Sequence, residues 1–263
     1  MKSTFAVLCL LGAFWTIDAT PILGNDLERL RLEVRQAKRN VDDIIRQLQI
    51  LCSEAKEDTI EKVSEKWEGE RKSYRSYKTL LVDGIKKDVN AATTIGKDVK
   101  MCYEEAVDAI EQMDNVVLEE GSKCNNNAEN AVQNALGFID NLVSTGDALS
   151  LDLDGIFLTC FDNDINRMQS CVITDLARIK VDIRTLQSDA NSAEVTVAHV
   201  SNNVVLQATN CLKKAYSSVY SKGDSIKTNF TECVEKAEIT TTEEPTTTEE
   251  STTTEEPTTT EEE

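Results

Sequence analysis

The sequence predicts an all-α protein: an elongated antiparallel bundle of long helices, stapled by disulfides and followed by a disordered tail. Three observations predict it. No proline occurs between Ile22 and Ile239, where an average usage of about 5% would place about ten. Proline removes a backbone donor and clashes with the preceding turn, so its absence leaves long helices uninterrupted. Apolar residues recur in steps of three and four, the spacing that lines one face of a helix. No stretch sustains the period-two alternation of a strand, so no Asn-Gly or Asp-Gly hairpin is set up.

Taken in order, the chain opens with a leader. Lys2 supplies a positive start, and the 13 residues from Phe5 to Ile17 carry no charge. A bilayer core needs about 20 apolar residues, so this is a secretory signal at 1–19 with cleavage after Ala19 rather than a membrane span. Asn25 and Glu28 form a capping-box-like start, in which the Asn side chain accepts from an orphan backbone N–H. Leu27, Leu30, Val34, Ala37, Val41, Ile44, Leu48, Leu51 and Ala55 then make a heptad seam. Gly69 to Tyr77 is expected either to turn the chain or to mark a change of seam. A second seam runs through Ala92, Ile95, Val99, Cys102, Ala106, Ala109, Met113 and Val116. Gly121 to Asn127 reads as a helix stop, because Gly and Asn tolerate the left-handed C′ conformation. Ser144 to Asp147 reads as a loop, and Ser188 to Ser192 as another, with Asn191 and Glu194 as a new cap. The helical body thus divides into halves at 20–143 and 144–239. Cysteine steps of 50 and 22 residues from Cys52 match steps of 51 and 22 from Cys160, which suggests an internal duplication.

The tail, 240–263, is four hexamers of the form Thr-Thr-Thr-Glu-Glu-X. It lacks apolar residues and cannot offset its ordering entropy. Dense threonine with proline suits O-glycosylation, with Thr240, Thr246, Thr252 and Thr258 opening the hexamers as candidates. Asn229-Phe230-Thr231 is the N-glycosylation sequon. The tail's nine glutamates carry nearly half of the net charge of −19. So acidic a chain has no electrostatic reason to bind nucleic acid or an anionic membrane surface.

Removal of Cys9 with the leader leaves seven cysteines, an odd number in an oxidising compartment. Bridged residues lie about 4.4–6.8 Å apart at Cα, whereas 22 helical residues span about 33 Å. Cys102–Cys124 and Cys211–Cys233 are thereby disfavoured. In an antiparallel hairpin, partners sit at equal distances from the turn. With turns near 77, 142 and 191, the expected bridges are Cys52–Cys102, Cys124–Cys160 and Cys171–Cys211. Cys233 is then free, or bridges two copies; the heptad seams offer a second route to a homodimer.

Catalytic and metal motifs are lacking, and no cofactor is expected. His199 is the single histidine, so paired imidazoles are not available. Asp162-Asn163-Asp164 opens like a calcium loop, but Arg167 occupies the glycine position and Ile173 the bidentate glutamate position. The expectation is a secreted, non-enzymatic structural or interaction protein acting on an extracellular protein or glycan. The alternative is a carrier of small apolar ligands between the helices.

The leader, the helical body with Cys160-Phe161, Cys171, Cys211 and Cys233, and the repeat tail together resemble the insect tsetse EP-type secreted proteins, over about residues 50–263. The Glu-Pro dipeptide of that family occurs here at Glu244-Pro245 and Glu256-Pro257. The resemblance implies a protein of insect gut, saliva or reproductive secretion, with lectin-like, parasite-related or immune association. It carries over no catalytic residue.

Overall fold

A computed structural model describes residues 25–239. The leader and the tail, with Thr240, Thr246, Thr252 and Thr258, lie outside the described residues. Four helices account for nearly all of the rest: α1 (Asn25–Thr94), α2 (Lys100–Ala135), α3 (Gly137–Thr159) and α4 (Ile165–Lys236). Among the described residues there is no strand, only an isolated bridge between Lys97 and Ile239. None of these helices is long and apolar enough to cross a membrane.

The helices are longer than the sequence reading allows. Gly69–Tyr77, expected to turn the chain or to mark a change of seam, lies inside α1; the expected stop at Gly121–Asn127 lies inside α2, and the expected loops at 144–147 and 188–192 inside α3 and α4. Two of these corrections have one cause. A Cβ at Gly121 would collide with the Trp67 indole, and a Cβ at Gly146 would lie 2.6 Å from Ile45 Cγ1. These glycines let a neighbouring helix approach closely; they do not end their own. An interior glycine costs a helix only about 1 kcal/mol, which tight packing offsets.

The true ends carry better local signals. At the end of α1, Gly96 has φ of 79°. The Gly96 N–H donates to Thr93 O and the Lys97 N–H to Ala92 O, the two bonds of a Schellman motif. Asp98 Oδ1 then accepts the Lys100 N–H at the start of α2. In the α3–α4 turn, Asp162 Oδ1 accepts the Asp164 N–H and Asp164 Oδ1 accepts the Asn166 N–H. The residues that resemble a calcium loop are therefore turn and N-cap residues, and Asp164 caps α4.

Two compact units divide the chain: Met1–Asp58 with Val132–Asn202, and Thr59–Ala131 with Asn203–Glu263. They are not the sequential halves. In unit 1, Arg31 lies over Phe157, Lys38 pairs with Asp154, and Gly146 lies beside Ile45, so α3 runs antiparallel to α1. Glu33 pairs with Lys180, and Asp26 and Arg29 share a groove with Gln169 and Ile173, so α4 runs parallel to α1. Unit 1 buries Leu30, Val41, Ile44 and Leu48 of α1, Leu153 and Ile156 of α3, and Leu176, Ile179 and Leu186 of α4.

Unit 2 repeats these directions with other residues. Trp67 packs at Gly121 and Tyr74 bonds Asp114, so α2 is antiparallel to α1. Tyr74 meets Tyr216 and Tyr77 bonds Asp224, so α4 is parallel to α1. The first heptad seam is buried from Leu30 to Leu48, after which Cys52 rather than Leu51 takes the buried position, followed by Thr59 and Val63. Repeated steps of four replace the strict heptad there, as a straighter helix demands. The second seam drifts likewise. Ile110 and Val117 are buried where Ala109 and Val116 are expected, and Ile95 is exposed because α1 has already ended.

Candidate functional site

The disulfides are Cys102–Cys233, Cys124–Cys211 and Cys160–Cys171, with Cα separations of 5.8, 5.8 and 5.5 Å. Each expected partnership is replaced. Cys52 is a buried free thiol, not the partner of Cys102. Cys124 pairs with Cys211 rather than Cys160, and Cys171 with Cys160 rather than Cys211. Cys233, expected to be free, closes on Cys102, which removes it as an intermolecular bridge. The equal-distance rule survives, but about a different turn. Both long bridges centre between residues 167 and 168, near the α3–α4 turn, whereas the expected centres at 77, 142 and 191 are helix. Two bridges between antiparallel helices require equal rises on both. That explains the matched 22-residue steps, 102 to 124 and 211 to 233, without duplication.

Asn229 is exposed on α4, with Phe230 buried beside it and the Thr231 hydroxyl donating to Lys227 O. His199 is exposed on α4. Cys160 Sγ lies 3.6 Å from Asp175 Oδ2. Cys160, Cys171 and Asp175 cluster as metal ligands would, but the two sulfurs are bonded to each other and offer no thiolate.

The most elaborate constellation was not anticipated from sequence, and it belongs to unit 2. All five tyrosines of the chain, at 74, 77, 103, 216 and 220, lie in this unit, as does Trp67. The segment 69–77, which reads as a turn or a change of seam, supplies its centre. As continuous helix it places Arg71, Tyr74, Arg75 and Lys78 along one side of α1 at spacings of three and four. Asp114, Val117 and Leu118 of α2 and Tyr216 of α4 complete a recess of about 260 Å³.

Polar bonds order its walls. The Tyr74 hydroxyl donates to Asp114 Oδ1 and the Lys78 ammonium to Asp114 Oδ2. Arg71 pairs with Glu68 and sits 5.6 Å over the Trp67 ring. Tyr77 Oη is 3.1 Å from Tyr220 O and 3.0 Å from Asp224 Oδ1. The Tyr74–Tyr216 and Tyr77–Tyr220 rings meet edge-on at 6.1 and 4.9 Å. Burial, and then the Asp114 carboxylate, push Tyr74 far above the usual phenol range. Burial, and then Asp224, push Tyr77 up to about 12. Burial also raises Tyr216, whereas the Trp67 indole beside it opposes that rise without reaching strict hydrogen-bond geometry. These three tyrosines therefore stay protonated at neutral pH.

A second groove, in unit 1, follows α1 and α4, with a volume of about 750 Å³; Ala37 and Ile183 line it together with Glu33, Arg39, Asp43, Lys180 and Arg184. Its lining mixes charged side chains with apolar surface. Compared with protein-family models, curated proteins and solved structures, the chain matches none.

Proposed function

We propose that this is a secreted, non-enzymatic interaction protein whose helical body meets an extracellular protein or glycan partner in an insect secretion or on an epithelial surface. The observation that carries the reading is the set of three disulfides, the chemistry of a chain that folds in an oxidising compartment. A hydrophobic leader, an exposed Asn229 sequon and the Thr-rich tail agree with passage through a secretory pathway. Leu151 and Leu158, seven residues apart on α3, and Phe161 beyond them expose 71%, 82% and 73% of their surface. Residues seven apart share one face of a helix, so Leu151 and Leu158 offer apolar area on one side of α3 to a partner. The carrier reading has less support, because charged side chains share the walls of the larger groove.

Expression of the whole reading frame in cultured insect cells tests the proposal. The protein is expected in the medium, starting at Thr20, with a mass reduced by N-glycosidase and by O-glycosidases. Solvent extraction of the purified protein should yield no fatty acid or sterol. Retention in the cytosol with reduced thiols would refute secretion, and a stoichiometric lipid would favour the carrier.

A further inference from the structure

We propose that the outward face of α1 between Lys72 and Lys87 is a docking surface for the chain's own acidic tail, residues 240–263. The first argument is charge. From Arg71 to Lys97 the chain carries seven cations against two carboxylates, Asp83 and Asp88, although its net charge is −19. Three of the seven are engaged: Arg71 pairs with Glu68, Lys78 with Asp114, and the Lys97 ammonium donates to Val234 O and Glu235 O. The other four, Lys72, Arg75, Lys86 and Lys87, are exposed, and their side chains make no ion pair or hydrogen bond among the described residues. Arg75 and Lys86 stand eleven residues apart, about three turns of helix, so they share one face, with Lys72 a turn before them. The tail supplies nine glutamates and no cation.

The second argument is where the tail is rooted. The Asp98 N–H donates to Glu238 O, and Ile239 bridges Lys97 in the antiparallel sense. The chain at Ile239 is therefore directed toward Gly96 and the end of α1, the helix that carries the free cations. Root and face both belong to unit 2.

Length and spacing agree with this direction. At about 1.5 Å per helical residue, Lys86 and Lys87 lie about 10–12 Å before the end of α1 at Thr94, and Arg75 about 29 Å. An extended chain covers about 3.3 Å per residue, which carries Glu243 and Glu244 about 13–17 Å beyond Ile239, and Glu249 and Glu250 about 33–36 Å. The first glutamate pair thus reaches Lys86 and Lys87, and the second reaches Arg75. One hexamer, about 20 Å extended, is close to the distance of about 17 Å between Arg75 and Lys86. Exposed ion pairs are individually weak. A tether holds the glutamates at an effective concentration of about millimolar, so that several weak pairs act together. The inference does not depend on secretion or on an external partner.

Zero-length carbodiimide coupling of the full chain tests the docking, because it joins a carboxylate to a lysine only where the two touch. At about 20 mM salt, peptide mapping should find the tail glutamates joined chiefly to Lys72, Lys86 and Lys87. Lys100 and Lys236 lie nearer the root but off this face, and should be joined at least about fivefold less. Raising salt to about 0.5 M should remove most of the coupling to the face. Arg75 itself does not couple, so Arg75→Glu reports on the contact: coupling to Lys72, Lys86 and Lys87 should fall about fivefold, with helical content retained. Lys100→Glu makes the same change of net charge off the face and should leave that coupling unchanged. Tail coupling that is absent, spread evenly over the lysines within reach, or indifferent to Arg75→Glu would overturn the docking. Coupling between two chains rather than within one would assign the face to a second copy and overturn it equally.

Discussion

Unit 1 and unit 2 use the same pattern of helix directions, two parallel and one antiparallel, but different chemistry fills them. Unit 1 buries mostly leucine, isoleucine and valine, and its one disulfide closes a turn of 11 residues, Cys160–Cys171. Unit 2 buries Tyr74, Tyr216 and Phe230 among its aliphatics and ties α2 to α4 at two levels. Aliphatic packing has no direction and tolerates most exchanges of equal volume. An aromatic core with polar tips does not, because each hydroxyl requires a partner. The comparison shows why the candidate site lies in unit 2: a polar constellation needs walls that cannot drift.

The largest test of this contrast removes disulfides. Cys102→Ser with Cys233→Ser should cost about 4 kcal/mol, because even with Cys124–Cys211 intact a long loop is released in the unfolded chain. Cys160→Ser with Cys171→Ser releases 11 residues and should cost about 3 kcal/mol. Denaturant titrations give the two totals, and hydrogen exchange should localise the first loss to unit 2. Equal losses spread over both units would break the comparison.

Gly146→Ala probes packing in unit 1. Helix propensity alone favours the change by about 1 kcal/mol. The new Cβ would meet Ile45 Cγ1 at 2.6 Å, one bond beyond that side chain's Cβ, and Leu186 Cδ2 at 3.4 Å. Overpacking should win, with a net loss of about 1–3 kcal/mol by thermal unfolding. A stabilised variant would show that unit 1 yields more readily than its density implies.

Alkaline titration separates the units by their tyrosines. The folded-state pKa of Tyr77 rises from 10.0 to about 12, first through burial and then through Asp224. A group raised on folding stabilises fully below its unfolded pKa, and that contribution is lost as pH climbs from 10 to about 12. After solvent screening, Tyr77 should be worth about 1 kcal/mol. Tyr77→Phe should therefore be less stable at pH 8 yet flatter between pH 10 and 12, followed by Trp67 emission. An unchanged slope would remove Tyr77 from the account.

The smallest effect belongs to Gly69→Ala. Nothing lies within 4 Å of a Cβ at this exposed helical position, so the exchange should stabilise by about 0.5–1 kcal/mol. Together with Gly146→Ala it makes a pair of opposite sign from one substitution type.

The sequence by itself determined the helical class, because the lack of proline and the three-and-four spacing are local properties. The inward face of α1 from Leu30 to Leu48 was equally legible, since burial there follows the apolar stripe. It also held the true helix ends, Gly96 with Asp98 and the Asp162–Asp164 turn, although the more conspicuous glycines drew the breaks elsewhere. What Gly121 and Gly146 do was decided only in three dimensions. A glycine is a stop or a slot according to what packs across from it, and here those residues are Trp67 and Ile45, 54 and 101 positions away. The disulfide pairing is hidden for the same reason: the equal-distance rule needs the turn, and residues 77, 142 and 191 are helix. The recess was least legible of all. Arg75, Asp114 and Tyr216 share no local pattern; only the packing of α1, α2 and α4 brings them to one recess.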